Sequence, residues 1–195
     1  MTGLVNNLFQ LCEAGRLDLV KEALEAGADP NITGYGWNTT CLMVAVIKGH
    51  TGVVNLLLEH PAIKVNAKDS HGWTALHLAT LFLPHSAVGI AILHKILATT
   101  GILLNEKTAL GDTPIMFSAR SGPIEALRMM AAMEEVDLEV LDEQGRSLEE
   151  ISIHQRADRA QVVQEARQRR RWDVNNNFLI SPIDLPGRIR FEEQN

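Results

Sequence analysis

Cysteine is nearly missing: Cys12 and Cys41 are the two in 195 residues, and they match no CxxC or Cys/His metal spacing. That excludes a disulfide framework and leaves small, mostly buried thiols, which suit a reducing compartment. No apolar run approaches the length of a membrane span, and Met1 to Ala14 lacks a basic start followed by an apolar stretch. Neither a transmembrane helix nor a secretory signal is therefore expected. Also missing are GxSxG, a phosphate-cradling glycine loop, HExxH and any nucleophile and base pair on one element. None of the seven histidines pairs with Cys, Asp or Glu at ligand spacing. The chain reads as no enzyme, with no cofactor and no metal. Aromatic residues are scarce, at 5% with a single tyrosine.

A hydrophobic share of 46% and a charged share of 22% are those of a folded protein, and a chain of this length buries roughly 70% of its unfolded surface. The net charge of −6 is uneven: residues 1–155 are acidic, and a short stretch over 156–171 is basic. An acidic body repels nucleic-acid phosphates, so any contact with nucleic acid would rest on that one stretch.

The segment Gly72-Trp73-Thr74-Ala75-Leu76-His77-Leu78-Ala79 recurs, weakened, from Gly111 to Ser118 and around Thr40 to Ala45. Thr40 to Thr74 is 34 residues, Thr74 to Thr113 is 39, and Thr113 to Ser147 is 34. A period in this range marks stacked supersecondary units. Apolar residues at helical spacing follow each start, over Asp18 to Ala26, Val53 to Leu58, Val88 to Leu97 and Ile124 to Met130, so each unit reads as two short helices. Gly72, Gly111 and Gly145 fall where a tight turn needs positive φ, and the Thr or Ser two residues later can cap the first helix.

The stretch Asp69 to Ala79 resembles the ankyrin-repeat signature, Gly49 to Leu58 resembles the remainder of such a repeat, and Glu25 to Asn31 its closing turn. The resemblance covers about residues 3–165 and implies an all-α solenoid of about five helix-turn-helix units with β-turn fingers. The units are about 3–33, 34–67, 68–106, 107–140 and 141–165, followed by the basic end of a C-terminal helix at 166–172 and an extended or disordered tail at 173–195. The third unit has five extra residues, and Pro84 should stop its first helix early, with Ser86 a candidate N-cap for a second helix reaching about Ala98. Glu149 and Glu150 fall where Leu76 and His77 fall in the third unit, and burying carboxylates there is costly, so the stack should end with the fifth unit. Val162, Val163 and Ala166 should seal it. His50 and His77 stand where the repeat commonly has a structural His.

The resemblance implies a non-catalytic module that binds a segment of another protein on a concave finger face, as scaffold, adaptor or inhibitor, in the cytoplasm or the nucleus, and monomeric when free. Its tip and inner-helix positions are Tyr35, Trp37 and Asn38 in the second unit, Ser70, His71, Trp73, Leu81 and Phe82 in the third, Leu110, Asp112 and Arg120 in the fourth, and Glu143 and Arg146 in the fifth. One extra residue between Asn31 and Thr40 leaves open which of Tyr35, Trp37 and Asn38 takes the second tip. Aromatic rings at tips suit a contact centre, and Asp112 and Glu143 would attract a basic or polar flank of the partner. Asn66, like Asn31 and Asn105, sits in a closing turn, where Asn bonds local backbone. The resemblance adds that it could be a substrate of an asparaginyl hydroxylase. The alternative function is a nuclear, transcription-linked regulator using the Arg-rich stretch 156–171 for import or nucleic-acid contact, against the plainer reading of a solvated helix.

Overall fold

The computed structural model describes residues 7–34, 36–81, 87–153 and 157–175. They form ten helices in five consecutive pairs: α1 Leu8–Glu13 with α2 Leu17–Glu25, α3 Cys41–Lys48 with α4 Thr51–Leu58, α5 Ala75–Leu81 with α6 Ala87–Leu97, α7 Pro114–Arg120 with α8 Ile124–Ala131, and α9 Leu148–Ile153 with α10 Ala157–Asn175. Neighbouring pairs stack like on like: α1, α3, α5, α7 and α9 make one layer, and α2, α4, α6, α8 and α10 the other. This is the expected all-α solenoid.

The layers differ in sequence for a packing reason. A helix of the inner layer has a neighbour before it, behind it and across from it, so Cys41 to Val46, Ala75 to Thr80 and Pro114 to Ala119 are buried throughout. Helices of the outer layer fully bury one stripe, such as Val53, Val54 and Leu57, or Ile92, Leu93 and Ile96, and leave the other side partly or wholly exposed. One apolar core runs from Leu8 to Val163.

Between pairs the chain projects as a two-armed turn. Among the described residues the one regular strand pairing lies in the first of these, β1 Thr33–Gly34 against β2 Thr39–Thr40, with Thr33 opposite Thr40. Gly72, Gly111 and Gly145 have φ of 78°, 75° and 74°, as their spacing predicts. A Cβ on Gly72 would lie 2.9 Å from the Ala109 backbone nitrogen, because the next turn packs directly on it. Successive turns are joined by Ser70 N–H to the Trp37 carbonyl and Ala109 N–H to the His71 carbonyl, at 2.9 and 2.8 Å.

At the opposite end of the pairs three asparagines make one repeated clamp. The Asn31 amide donates to the Ala62 carbonyl and accepts from Lys64 N–H; Asn66 does the same with Gly101 and Leu103, and Asn105 with Glu135 and Asp137, all at 2.7 to 2.9 Å. Each side chain bonds both a C=O and an N–H of the next pair's closing loop. The local-backbone reading is thus extended: these amides join units.

The C-terminal helix differs most from expectation. It is the outer-layer member of the last pair, packed on α8 and α9, and it continues through Asn175, past the expected start of the tail at 173. The first residue that forbids a helix is Pro182, so Asp173 to Asn175 carry no stop signal of that strength. Ala160, Val162 and Val163 are buried, as the seal requires. Its arginines reach inward. Arg159 donates to the carbonyls of Ser118 and Gly122 at the end of α7, and Arg170 to those of Ala131, Met133 and Val136 at the end of α8. Arg167 pairs with Glu149 and donates to the Leu138 carbonyl, so the carboxylate on the last inner helix is answered by a cation of the same pair. The plainer reading of a solvated basic helix is corrected by these three arginines; Arg169 and Arg171 are exposed. Pro84 and Ser86 lie outside the described residues, and α6 ends at Leu97, one residue short of expectation.

Candidate interaction surface

Four of the five inner helices, α3, α5, α7 and α9, begin with the same device carried by different atoms. Thr74 N–H donates to His77 Nδ1 at 3.1 Å; Thr40 N–H and Thr113 N–H donate to the sulfurs of Met43 and Met116, both at 3.4 Å; Ser147 N–H donates to Glu150 Oε2 at 2.7 Å. Three of the four hydroxyls accept in return, from Met43, His77 and Glu150 N–H. The Thr113 hydroxyl, expected to cap α7, is instead buried without a partner. The Ser147 hydrogen bonds hold the Glu150 carboxyl below its ordinary value.

His77 does more than cap. Its Nδ1 accepts, so the proton sits on Nε2, which donates to the Asp112 carbonyl in the next turn at 3.2 Å. The ring is fully buried, and burial lowers its pKa to about 4, keeping it neutral. His50 likewise ties units, its Nε2 lying 3.0 Å from the Glu13 carbonyl. Both have the structural role expected of them. Cys12 and Cys41 are buried, and the contact with Cys12, with burial, pushes the Cys41 thiol up, so it is inert.

The register of the turns resolves which residue stands at the second tip. Asn38, with φ 57°, occupies the place that glycine takes in the later turns, and donates to the Ser70 hydroxyl at 3.4 Å. Trp37 therefore matches His71 and Leu110. Tyr35 lies outside the described residues, as does Phe82. Trp37 is 64% exposed and Leu110 is 65% exposed, and exposed His71 between them meets the Trp37 ring edge-on at 5.7 Å. Ser70 and Glu143 are exposed beside this row.

Trp73 is not on it. Its ring is half-buried against Phe117 of α7, centroids 4.6 Å apart, and 6.1 Å from His77. Its expected place as a tip anchor is corrected: it joins the third pair to the fourth. Leu81, the last residue of α5, is half-buried.

Asp112 takes the slot of Trp73 in the following turn, and it does not stand ready for a cation. Arg120 Nη1 and Nη2 donate to its two carboxylate oxygens at 3.1 and 3.0 Å. Asp142 is held by Arg146 through one oxygen, Oδ2, with Nε at 2.8 Å and Nη2 at 2.7 Å, and Arg120 Nη2 lies 4.0 Å from that oxygen. Burial opposes the charge on Asp142, but the Arg146 hydrogen bonds win and hold its carboxyl below the ordinary value. Three expected site residues, Asp112, Arg120 and Arg146, are thus brought together by Asp142, whose side chain sequence reasoning passed over. The expectation that Asp112 draws in a basic partner is weakened by this pairing, which already supplies its cation. Among the described residues no group of three or more His, Cys, Asp or Glu is placed to hold a metal ion.

Comparison with known proteins agrees with this architecture. Residues 8–90 match the ankyrin repeats family in three copies. Over 76 residues, 38% of the chain, it is 40% identical to ankyrin repeat and SAM domain-containing protein 6 of Mus musculus. Over 77 residues it is 42% identical to the protein of that name in Rattus norvegicus. The chain spans 8% of the length of each of these relatives.

Proposed function

We infer that this ankyrin-repeat chain is a non-catalytic interaction module, which binds a segment of another protein along its turns and acts as scaffold, adaptor or inhibitor. Ankyrin repeats are generally protein-protein interaction modules, which supports the class of function. The observation that carries the site is the row Trp37, His71, Leu110. Trp37 and Leu110 stand largely exposed on their turns, and exposed His71 stands on the turn between them with its ring edge-on to Trp37. Rigid rings and leucines in such a row bury much area at small entropic cost when a partner covers them.

The nuclear alternative gains less support, since Arg159, Arg167 and Arg170 are spent on the chain's own carbonyls and carboxylates. No helix among the described residues is long and apolar enough to cross a membrane. We propose that the module works in the cytoplasm or the nucleus and is monomeric when free. For Asn66, hydroxylation would have to proceed on an amide bonded on both sides, to Gly101 and Leu103.

Capture from cell lysate followed by mass spectrometry tests the site, with the native chain beside a Trp37→Ala/Leu110→Ala variant of matched melting temperature. Proteins lost only with the variant support the fingertip row. Identical captures from both would overturn it.

A further inference from the structure

The ion pairs behind the fingertip row fix the charge of the segment that docks there, an inference that rests on the reading above. Asp112 and Asp142 are turned inward, their side chains 13% and 1% exposed. The guanidinium groups of Arg120 and Arg146 are the members that reach the surface, at 33% and 39%. At these two ion pairs an approaching ligand meets the Arg120 and Arg146 guanidinium edges rather than the Asp112 and Asp142 carboxylates, with exposed Glu143 alongside.

Those edges carry unspent donors. Arg120 gives one N–H from each Nη to Asp112, which leaves a second N–H on each. Arg146 uses Nε and Nη2 on Asp142 and leaves Nη1. Both groups converge on Asp142 Oδ2, so the spare donors share one patch. Arg120 lies 6.0 Å over the buried Phe117 ring, which half-buried Trp73 meets at a tilt, centroids 4.6 Å apart, so aromatic side chains adjoin the patch. A guanidinium already fixed by a carboxylate and a ring loses little freedom when it binds again.

We propose that this patch receives an acidic peptide segment of a partner protein. One side-chain carboxylate accepts from Arg120 and Arg146, while an adjoining apolar side chain covers Trp73 and continues toward the fingertips. The partner's charge is then opposite to the one that Asp112 and Glu143 suggest when read from sequence alone.

Random peptides displayed on phage and selected on the full chain test the sign. Chosen peptides are then titrated against the native chain, Arg120→Gln/Asp112→Asn, Arg146→Lys and Trp37→Ala/Leu110→Ala, with melting curves for each. The paired substitution removes both charges and keeps both shapes; Arg146→Lys keeps the charge and removes the fork. Enrichment of Asp and Glu is expected, with affinity falling about tenfold or more in the paired variant and weakening as salt rises. Selection of Lys- and Arg-rich peptides, or of none, overturns the proposal, as does undiminished binding to a folded paired variant. Should that variant not fold, undiminished binding to Arg146→Lys overturns it equally. Acidic peptides that ignore Trp37→Ala/Leu110→Ala but need Arg120 would sink the fingertip reading alone; the reverse pattern would sink only the acidic one.

Discussion

The third and fourth helix pairs fill the same slots with opposite chemistry. After the turn glycine one has Trp73 and the other Asp112; at the third helical residue one has His77 and the other Met116; at the end of the inner helix one has Leu81 and the other Arg120. Yet both make the same turn, the same acceptor for the N-cap N–H and a contact to the next element. A slot therefore demands a function, an acceptor or a filler, and not a residue type. What differs is reach. His77 has a second nitrogen that holds the next turn, and Met116 has none.

The sharpest way to break this comparison is to remove His77. His77→Ala leaves the Thr74 N–H and the Asp112 carbonyl buried around a hole and should cost about 3 kcal/mol by chemical denaturation. His77→Met should cost only about 1 kcal/mol, since sulfur already serves in the neighbouring pairs. The native chain should also lose stability in mild acid. The unfolded imidazole takes up a proton near its ordinary 6.5, whereas the folded one resists until about 4. Stability is therefore full above about pH 6.5 and falls as pH drops toward 4, by up to roughly 3 kcal/mol. In His77→Met that slope should flatten, and an unchanged slope would assign it elsewhere.

The next slot gives a smaller contrast. Trp73→Ala uncovers Phe117 and should cost about 2 kcal/mol, whatever the salt. Asp112→Ala should cost about 1 to 2 kcal/mol, and a double-mutant cycle with Arg120→Ala should return a coupling near 1 kcal/mol that shrinks in high salt. Smaller still, Asn66→Ala and Asn105→Ala should match each other at about 1 kcal/mol, because the clamp is identical even though the third pair carries extra residues. Unequal losses would mean that the longer third unit strains its clamp.

How much of this was legible follows from range. The 34-residue period, the turn glycines and the apolar stripes are local patterns, and they place the helix pairs and the buried faces correctly. Asn38 standing in for glycine was hidden by one inserted residue, though Asn is the residue that best tolerates a left-handed turn. The Asp112 to Arg120 pairing spans eight residues and a turn, outside the spacing rules for one helix. Arg159, Arg167 and Arg170 looked like a solvated basic run because their carbonyl partners lie 29 to 41 positions away. A signal did exist: a cationic helix following Glu149, a carboxylate at a core position.

The smallest expected effect separates site from fold. Trp37 and Leu110 stand on turns whose geometry is fixed by backbone bonds, and their rings and methyls are largely in water in the free chain. Their removal forfeits little burial, so Trp37→Ala and Leu110→Ala should each change unfolding free energy by less than about 0.5 kcal/mol, beside about 2 kcal/mol for Trp73→Ala. Tryptophan is costly to leave exposed unless something covers it, so near-zero stability effects joined to a loss of partner binding would mark these residues as kept for contact. If Trp37→Ala instead lowered stability as much as Trp73→Ala does, its edge-on contact with His71 would be holding the turns together. The interaction surface would then begin at the arginines rather than at the tips.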